Sequence, residues 1–215
     1  MADEDERPSK RIKYATEYPN VPERYLRVSR LDFSRTVQVT VGKEPKKFIV
    51  PTNLLDDSGM LRARMDSGPK EAHELKVHLE HGTSEVFEHY LECKSSTGDA
   101  IVLPPKEGRS GVPSHFTRLI RLYVLAHDIR DDGLCTAIHN HLLRVRRNDL
   151  AEFGLTPRSI SEAYRILAYS FTMRELIADM CLGYLLPAQL EADRNVLPAQ
   201  FIFDLAKAGL ERGLQ

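Results

Sequence analysis

Three features of the sequence predict an α+β fold. Residues 115–145, HFTRLIRLYVLAHDIRDDGLCTAIHNHLLRV, read as two amphipathic helices joined by a short break. Upstream, residues 36–41 and 74–80 alternate apolar and polar side chains, as half-buried strands do. Downstream, residues 146–215 carry only helical periodicity. The expected architecture is a small sheet with short helices packed on the central pair, followed by an all-helical extension.

The central pair is the clearest part. Phe116, Leu119, Ile120, Leu122, Tyr123, Ala126 and Ile129 recur at steps of three and four, which places them on one face of a helix. Arg118, Arg121 and Asp128 take the other face, with Leu125 an apolar exception there. Asp131, Asp132 and Gly133 interrupt the pattern, and either aspartate can cap a second helix carrying Leu134, Ile138, Leu142 and Val145. So short a connection predicts a helical hairpin.

Ahead of that pair, TVQVTV at 36–41 is a strand, Gly42 to Lys46 a turn, and Lys47 to Pro51 a second strand through Phe48 and Val50. Thr52 and Ser58 can cap short helical turns that carry Leu54 and Leu55, then Leu61 and Met65. ELKVHLE at 74–80 is a third strand, and Thr83 opens a helix with Val86, Phe87, Tyr90 and Leu91 on one face. Ile101 to Leu103 can add a short strand. Residues 104–114, PPKEGRSGVPS, are expected to form a flexible surface loop, because proline and glycine dominate them.

Beyond the pair, Thr156-Pro157 starts a helix buried through Ile160, Tyr164 and Leu167. Thr172 to Glu175 has the pattern of a capping box, opening a helix with Leu176, Ile177, Met180 and Tyr184 that Pro187 stops. Pro198 begins a last helix with Phe201, Ile202, Leu205 and Ala208 facing inward.

Composition narrows the function classes. The 215 residues carry a net charge of −1, which draws the chain to neither nucleic acid nor an anionic membrane. No apolar run reaches the roughly 18 residues of a membrane span. The opening MADEDERPSKRIKY lacks the apolar stretch of a secretory signal. Cys93, Cys135 and Cys181 are widely spaced and sit in apolar helical surroundings, the pattern of reduced core thiols. A cytoplasmic or nuclear location follows. Lys10 to Lys13 has the composition of a nuclear localisation patch within a tail expected to be disordered.

The eight histidines do not assemble into a metal site. His78 and His81 point to opposite sides of a strand exit, and His139 and His141 lie about 200° apart around a helix. No nucleophile elbow, phosphate loop or dinucleotide fingerprint is present. Asp131-Asp132 reads as a solvated helix cap, and His127 and Asp128, adjacent on a helix, do not face each other. No catalytic, cofactor-binding or metal-binding residue is therefore assigned, and no nucleic-acid surface is expected.

The order of elements and two stretches of residues resemble the BTB/POZ family. VQVTVGKEPKKFIVPTNLLDDSGMLRARM is similar to its opening, and LIRLYVLAHDIRDDGLCTAIHNHLL to its second signature. The resemblance covers about residues 34–145. TPRSISEAYRILAYSFTMRELIADM is similar to the helical extension of the short BTB proteins of filamentous fungi. Two positions depart from the family pattern: Ser34-Arg35 stand where an aspartate is usual, and Pro51 where a histidine is usual.

The resemblance implies a small mixed sheet packed on helical hairpins at 34–145, a lead-in at 1–33 and a helical extension at 146–215. It implies a non-enzymatic protein–protein interaction module with no cofactor and an unnamed protein partner. Its core would be defined by Phe48, Val50, Leu119, Leu122, Tyr123, Ala126, Leu134 and Ile138. A partner or dimer surface would be formed by Leu54, Leu55, Met60, Leu61 and Met65. Charged neighbours break up that patch, so a monomer or a weak homodimer is expected. The resemblance also implies a narrower role, a cullin-RING ligase adaptor, disfavoured because Pro69 stands at the hydrophobic position of the cullin-contacting element. A nuclear transcription-associated regulator is a separate reading, supported by the Lys10 to Lys13 patch and the scattered arginines.

Overall fold

In the strand TVQVTV the three valines take one side, and that side is inward: Val37, Val39 and Val41 are all buried. The computed structural model describes residues 35–43, 45–67, 76–79, 82–96, 101, 114–145, 150–168, 170–182, 184–185 and 187–213. The tail and lead-in at 1–33, the rest of the expected strand at 101–103, most of the loop at 104–114 and the cullin-type element at 69–71 lie outside them.

The strands are β1 (Thr36–Val41), β2 (Lys46–Pro51) and β3 (Lys76–Leu79), ordered β2-β1-β3. β1 and β2 form an antiparallel hairpin that sets Val37 opposite Val50 and Val39 opposite Phe48. Gly42, at φ 84°, takes the left-handed turn that glycine adopts without a Cβ clash. β3 returns parallel to β1, with Val39 beside Val77 and Val41 beside Leu79, so the sheet is mixed. A parallel return needs a crossover, and the intervening segment contains α1 (Gly59–Ser67).

α2 (Ser84–Ser95), capped by Thr83, meets the sheet through Phe48 and packs on α3 (His115–Asp128), which forms a hairpin with α4 (Asp132–Arg144). Phe87 and Tyr90 of α2 are fully buried, and Phe48 meets the Phe87 ring edge-on at 5.0 Å. The extension consists of α5 (Leu150–Phe153), α6 (Pro157–Ile166), α7 (Phe171–Cys181), α8 (Pro187–Ala192) and α9 (Ala199–Gly213). α6 packs on α3, and α9 packs on α7 and α6. Buried apolar residues from Val37 to Leu205 make one continuous core, so the extension shares the interior of the sheet and hairpin.

Several local expectations are corrected. Leu125 is buried, because α3 is covered on two sides, while Tyr123 is only half-buried at the edge towards Ser170. No capping box forms at Thr172: the cap of α7 is Ser170, and Thr172 lies inside the helix. A capping box does form at α6, where Thr156 and Ser159 satisfy each other's backbone donors. Pro187 does not stop α7, which ends at Cys181; it instead begins α8, where its missing N–H costs nothing. In α9, Ile202 is exposed and Asp204 takes the inward place beside Phe201 and Leu205.

Candidate functional site

The break between α3 and α4 is tied to both α1 and α2. α3 ends with unpaired carbonyls and α1 begins with unpaired N–H groups, and the two ends satisfy each other. Gly59 N–H donates to the Arg130 carbonyl at 3.0 Å, Met60 N–H to that of Ile129 at 3.1 Å, and Ser58 Oγ to Ile129 at 2.7 Å. Arg130 adopts φ 58°, the left-handed conformation that turns the chain from α3 into α4.

Asp131 follows, and it is fully buried, so the expected solvated cap is corrected to a buried one; Asp132 beside it is exposed. Asp131 Oδ1 accepts from Leu134 N–H at 3.0 Å, and Oδ2 accepts from Tyr90 Oη at 3.1 Å. Lys94 Nζ lies 3.1 Å from the same Oδ2 and 2.6 Å from Asp57. Burial opposes the charge on Lys94, but the two carboxylates outweigh it and its pKa is raised. Burial first, then Asp131, raises that of Tyr90, so the phenol stays protonated and donates. Every member of this knot has a partner, which makes it a structural clamp on the helical hairpin.

The sequence-derived surface residues divide. Leu54, Leu55 and Leu61 belong to the core, because the helical turns after the hairpin pack inward on α2 and α3; only Met60 and Met65 are partly exposed. The proposed five-residue face therefore does not exist as a free surface on this chain. Of the core-defining residues, Val50, Leu119, Leu122, Ala126, Leu134 and Ile138 are buried, and Phe48 and Tyr123 pack partly buried against them.

Among the described residues, no three His, Cys, Asp or Glu side chains are placed to hold a metal ion, and no helix is long and apolar enough to cross a membrane. His78 is exposed and its Nδ1 lies 3.0 Å from Thr40 Oγ1. His127 Nδ1 and Asp128 Oδ1 come within 4.0 Å at the surface, nearer than their adjacency on a helix suggested. Cys93 and Cys181 are buried and Cys135 half-buried, each outside any disulfide. Burial pushes the Cys181 thiol up to about 12.

Two features of the extension escaped the sequence reading. Arg174 is buried on the apolar side of α7, facing the buried Asp204 of α9, with Nε 3.7 Å from Oδ2. Beside them, Tyr164 Oη donates to the Arg174 carbonyl at 3.1 Å, and the Tyr164 ring meets Phe201 edge-on at 5.4 Å. The signal was legible, since Arg174 stands in register with Ile177, Ala178 and Cys181 on a stripe otherwise apolar. The second feature is the outer side of α9, where Phe203 is 64% and Leu210 70% exposed. No family model matches the chain, and no curated protein matches it.

Proposed function

We propose that this chain is a non-enzymatic protein–protein interaction module of the BTB/POZ kind, whose helical extension supplies the contact surface. The resemblance of residues 34–145 and the strand–strand–helix–strand–helix order support the family reading. The observation that carries the function is the outer face of α9. Ala199, Phe203, Ala206, Leu210 and Gly213 are all exposed and recur at alternating steps of four and three. That is the spacing of a helix–helix seam.

Large residues alternate with small ones along this seam, so a second helix can set its own side chains over Ala199 and Ala206 while Phe203 and Leu210 fill its gaps. The inner side of α9 is already occupied by α7 and α6 through Phe201 and Leu205. The occupant of the outer side is an amphipathic helix of a protein partner. Burying an aromatic ring and a leucine at the centre of such a contact is the usual source of affinity.

Crosslinking mass spectrometry on complexes purified with the full chain tests this reading. Lys207, on the same helix, should crosslink to a helical segment of the partner. Phe203→Ser with Leu210→Ser should abolish those crosslinks and leave the circular dichroism and melting temperature unchanged. Crosslinks that persist unchanged in this variant would show that the contact lies elsewhere.

A further inference from the structure

A cavity of about 720 Å³ opens between α6, α7 and the segment leading into α9. Arg158, Arg165 and Arg174 line it together with the apolar Val196 and Pro198. Glu162 also lines it, but Arg121 already holds that carboxylate, donating from Nε at 3.2 Å. With Arg174 paired to Asp204, Arg158 and Arg165 leave the lining positive, and Val196 and Pro198 add apolar surface.

Arg174 is ion-paired with the buried Asp204, but its Nε makes no hydrogen bond. Its guanidinium lies 4.7 Å from the Phe171 ring centre and 6.0 Å from that of Tyr164. Asp204 Oδ2 is 3.7 Å from Nε, too far for a hydrogen bond, and Oδ1 accepts from Gln200 at 2.7 Å. Arg174 Nε and Asp204 Oδ2 are both buried with no hydrogen-bond partner. A guanidinium whose Nε lacks a hydrogen bond favours an oxyanion that reaches its other nitrogens, because a charge-assisted contact is worth more there than in water.

Arg158 and Arg165 are separated by two turns of α6, about 10 Å along its axis. That span matches about three residues of extended peptide. A single small anion meets one arginine, whereas an extended acidic chain meets all three and lays an apolar neighbour on Val196 and Pro198.

We propose that this cavity binds an acidic peptide segment of a protein partner, its oxyanions being side-chain carboxylates or phosphates. This rests on the reading of the chain as a partner-binding module and adds the partner's chemistry. It also places a second contact, separate from the outer seam of α9.

Fluorescence anisotropy on the full chain tests it with three labelled peptides. One carries glutamate at every second position, which an extended chain presents on one face, one glutamine and one phosphoserine at the same places. Binding of the glutamate or the phosphoserine peptide is expected, with the tighter of the two identifying the source of the oxyanion. The glutamine peptide should bind at least about tenfold more weakly. Raising salt from about 0.05 to 0.5 M should weaken the acidic peptides. Arg158→Gln with Arg165→Gln, both at exposed positions, should lower affinity by about tenfold without changing the melting temperature.

Equal binding of glutamate and glutamine peptides, an unaffected double variant, or no acidic peptide bound at about 1 mM overturns the proposal. Inorganic phosphate bound where the peptides are not also overturns it, in favour of a small-anion site. The Phe203→Ser, Leu210→Ser variant should keep the peptide. If its partner complexes persist while peptide binding holds, the α9 seam fails and this site stands; if they are lost while no peptide binds, the reverse is true.

Discussion

Lys94 Nζ on α2 lies 3.1 Å from Oδ2 of Asp131, the fully buried residue that caps α4. Removing the carboxylate strips the α4 cap, orphans the Tyr90 hydroxyl and leaves Lys94 to Asp57 alone. Asp131→Ala should cost about 3 kcal/mol or more, within the range for breaking a buried pair. Asp131→Asn keeps an oxygen for the cap and should cost less. Urea denaturation of both variants checks the order, and equal losses would show that the cap contributes nothing.

Gly154, between α5 and α6, packs against the start of α3. It adopts φ 86°, and a Cβ there would lie 2.3 Å from Cβ of Ser114, the residue that caps α3. Gly154→Ala therefore meets both backbone strain and a clash, and should destabilise the fold by about 1–3 kcal/mol. Thermal unfolding checks this, since an unchanged midpoint would mean that α5 does not abut α3.

Alkaline pH should weaken the fold. Burial raises the Cys181 thiol from 9.0 to about 12, so the folded state holds its proton more tightly than the unfolded state. The resulting stability is fully present below pH 9.0 and is lost as pH rises towards about 12. Cys135, raised to about 12 by burial and by Asp131, acts in the same direction. Cys181→Ala should lower stability at neutral pH yet flatten the decline across this window. Melting temperatures measured along the pH series decide the matter, and parallel curves for the two proteins would refute it.

Two neighbours on α3 should respond differently to the same change. Leu122 is fully buried, whereas Tyr123 is half-buried with its hydroxyl 3.4 Å from Ser170 Oγ. Leu122→Asp should abolish folding, because an unpaired carboxylate cannot be accommodated there. Tyr123→Asp should lower stability and leave a folded chain, since its carboxylate can reach water. Leu61→Asp belongs with Leu122→Asp, Leu61 being a core residue. Circular dichroism of the three variants checks the ranking.

By itself, the sequence determined what depends on near neighbours in the chain. The alternating valines of β1, the helix starts at Thr83, Thr156 and Pro198 and an aspartate cap opening the second central helix were all legible. Each involves residues within about one turn of one another, where backbone geometry leaves few options. The α+β class follows from those elements. The tertiary structure decided which side of each element is covered. Leu54, Leu55 and Leu61 became core, Ile202 faced outward, and Asp131 lost its water because distant helices closed over one face and not another. Arg174 met Asp204 for the same reason: they stand on separate helices, and only the packing of α9 on α7 brings their charges together. A periodic stripe shows that one face of a helix is apolar, but its neighbours in space determine which residues stay in contact with water.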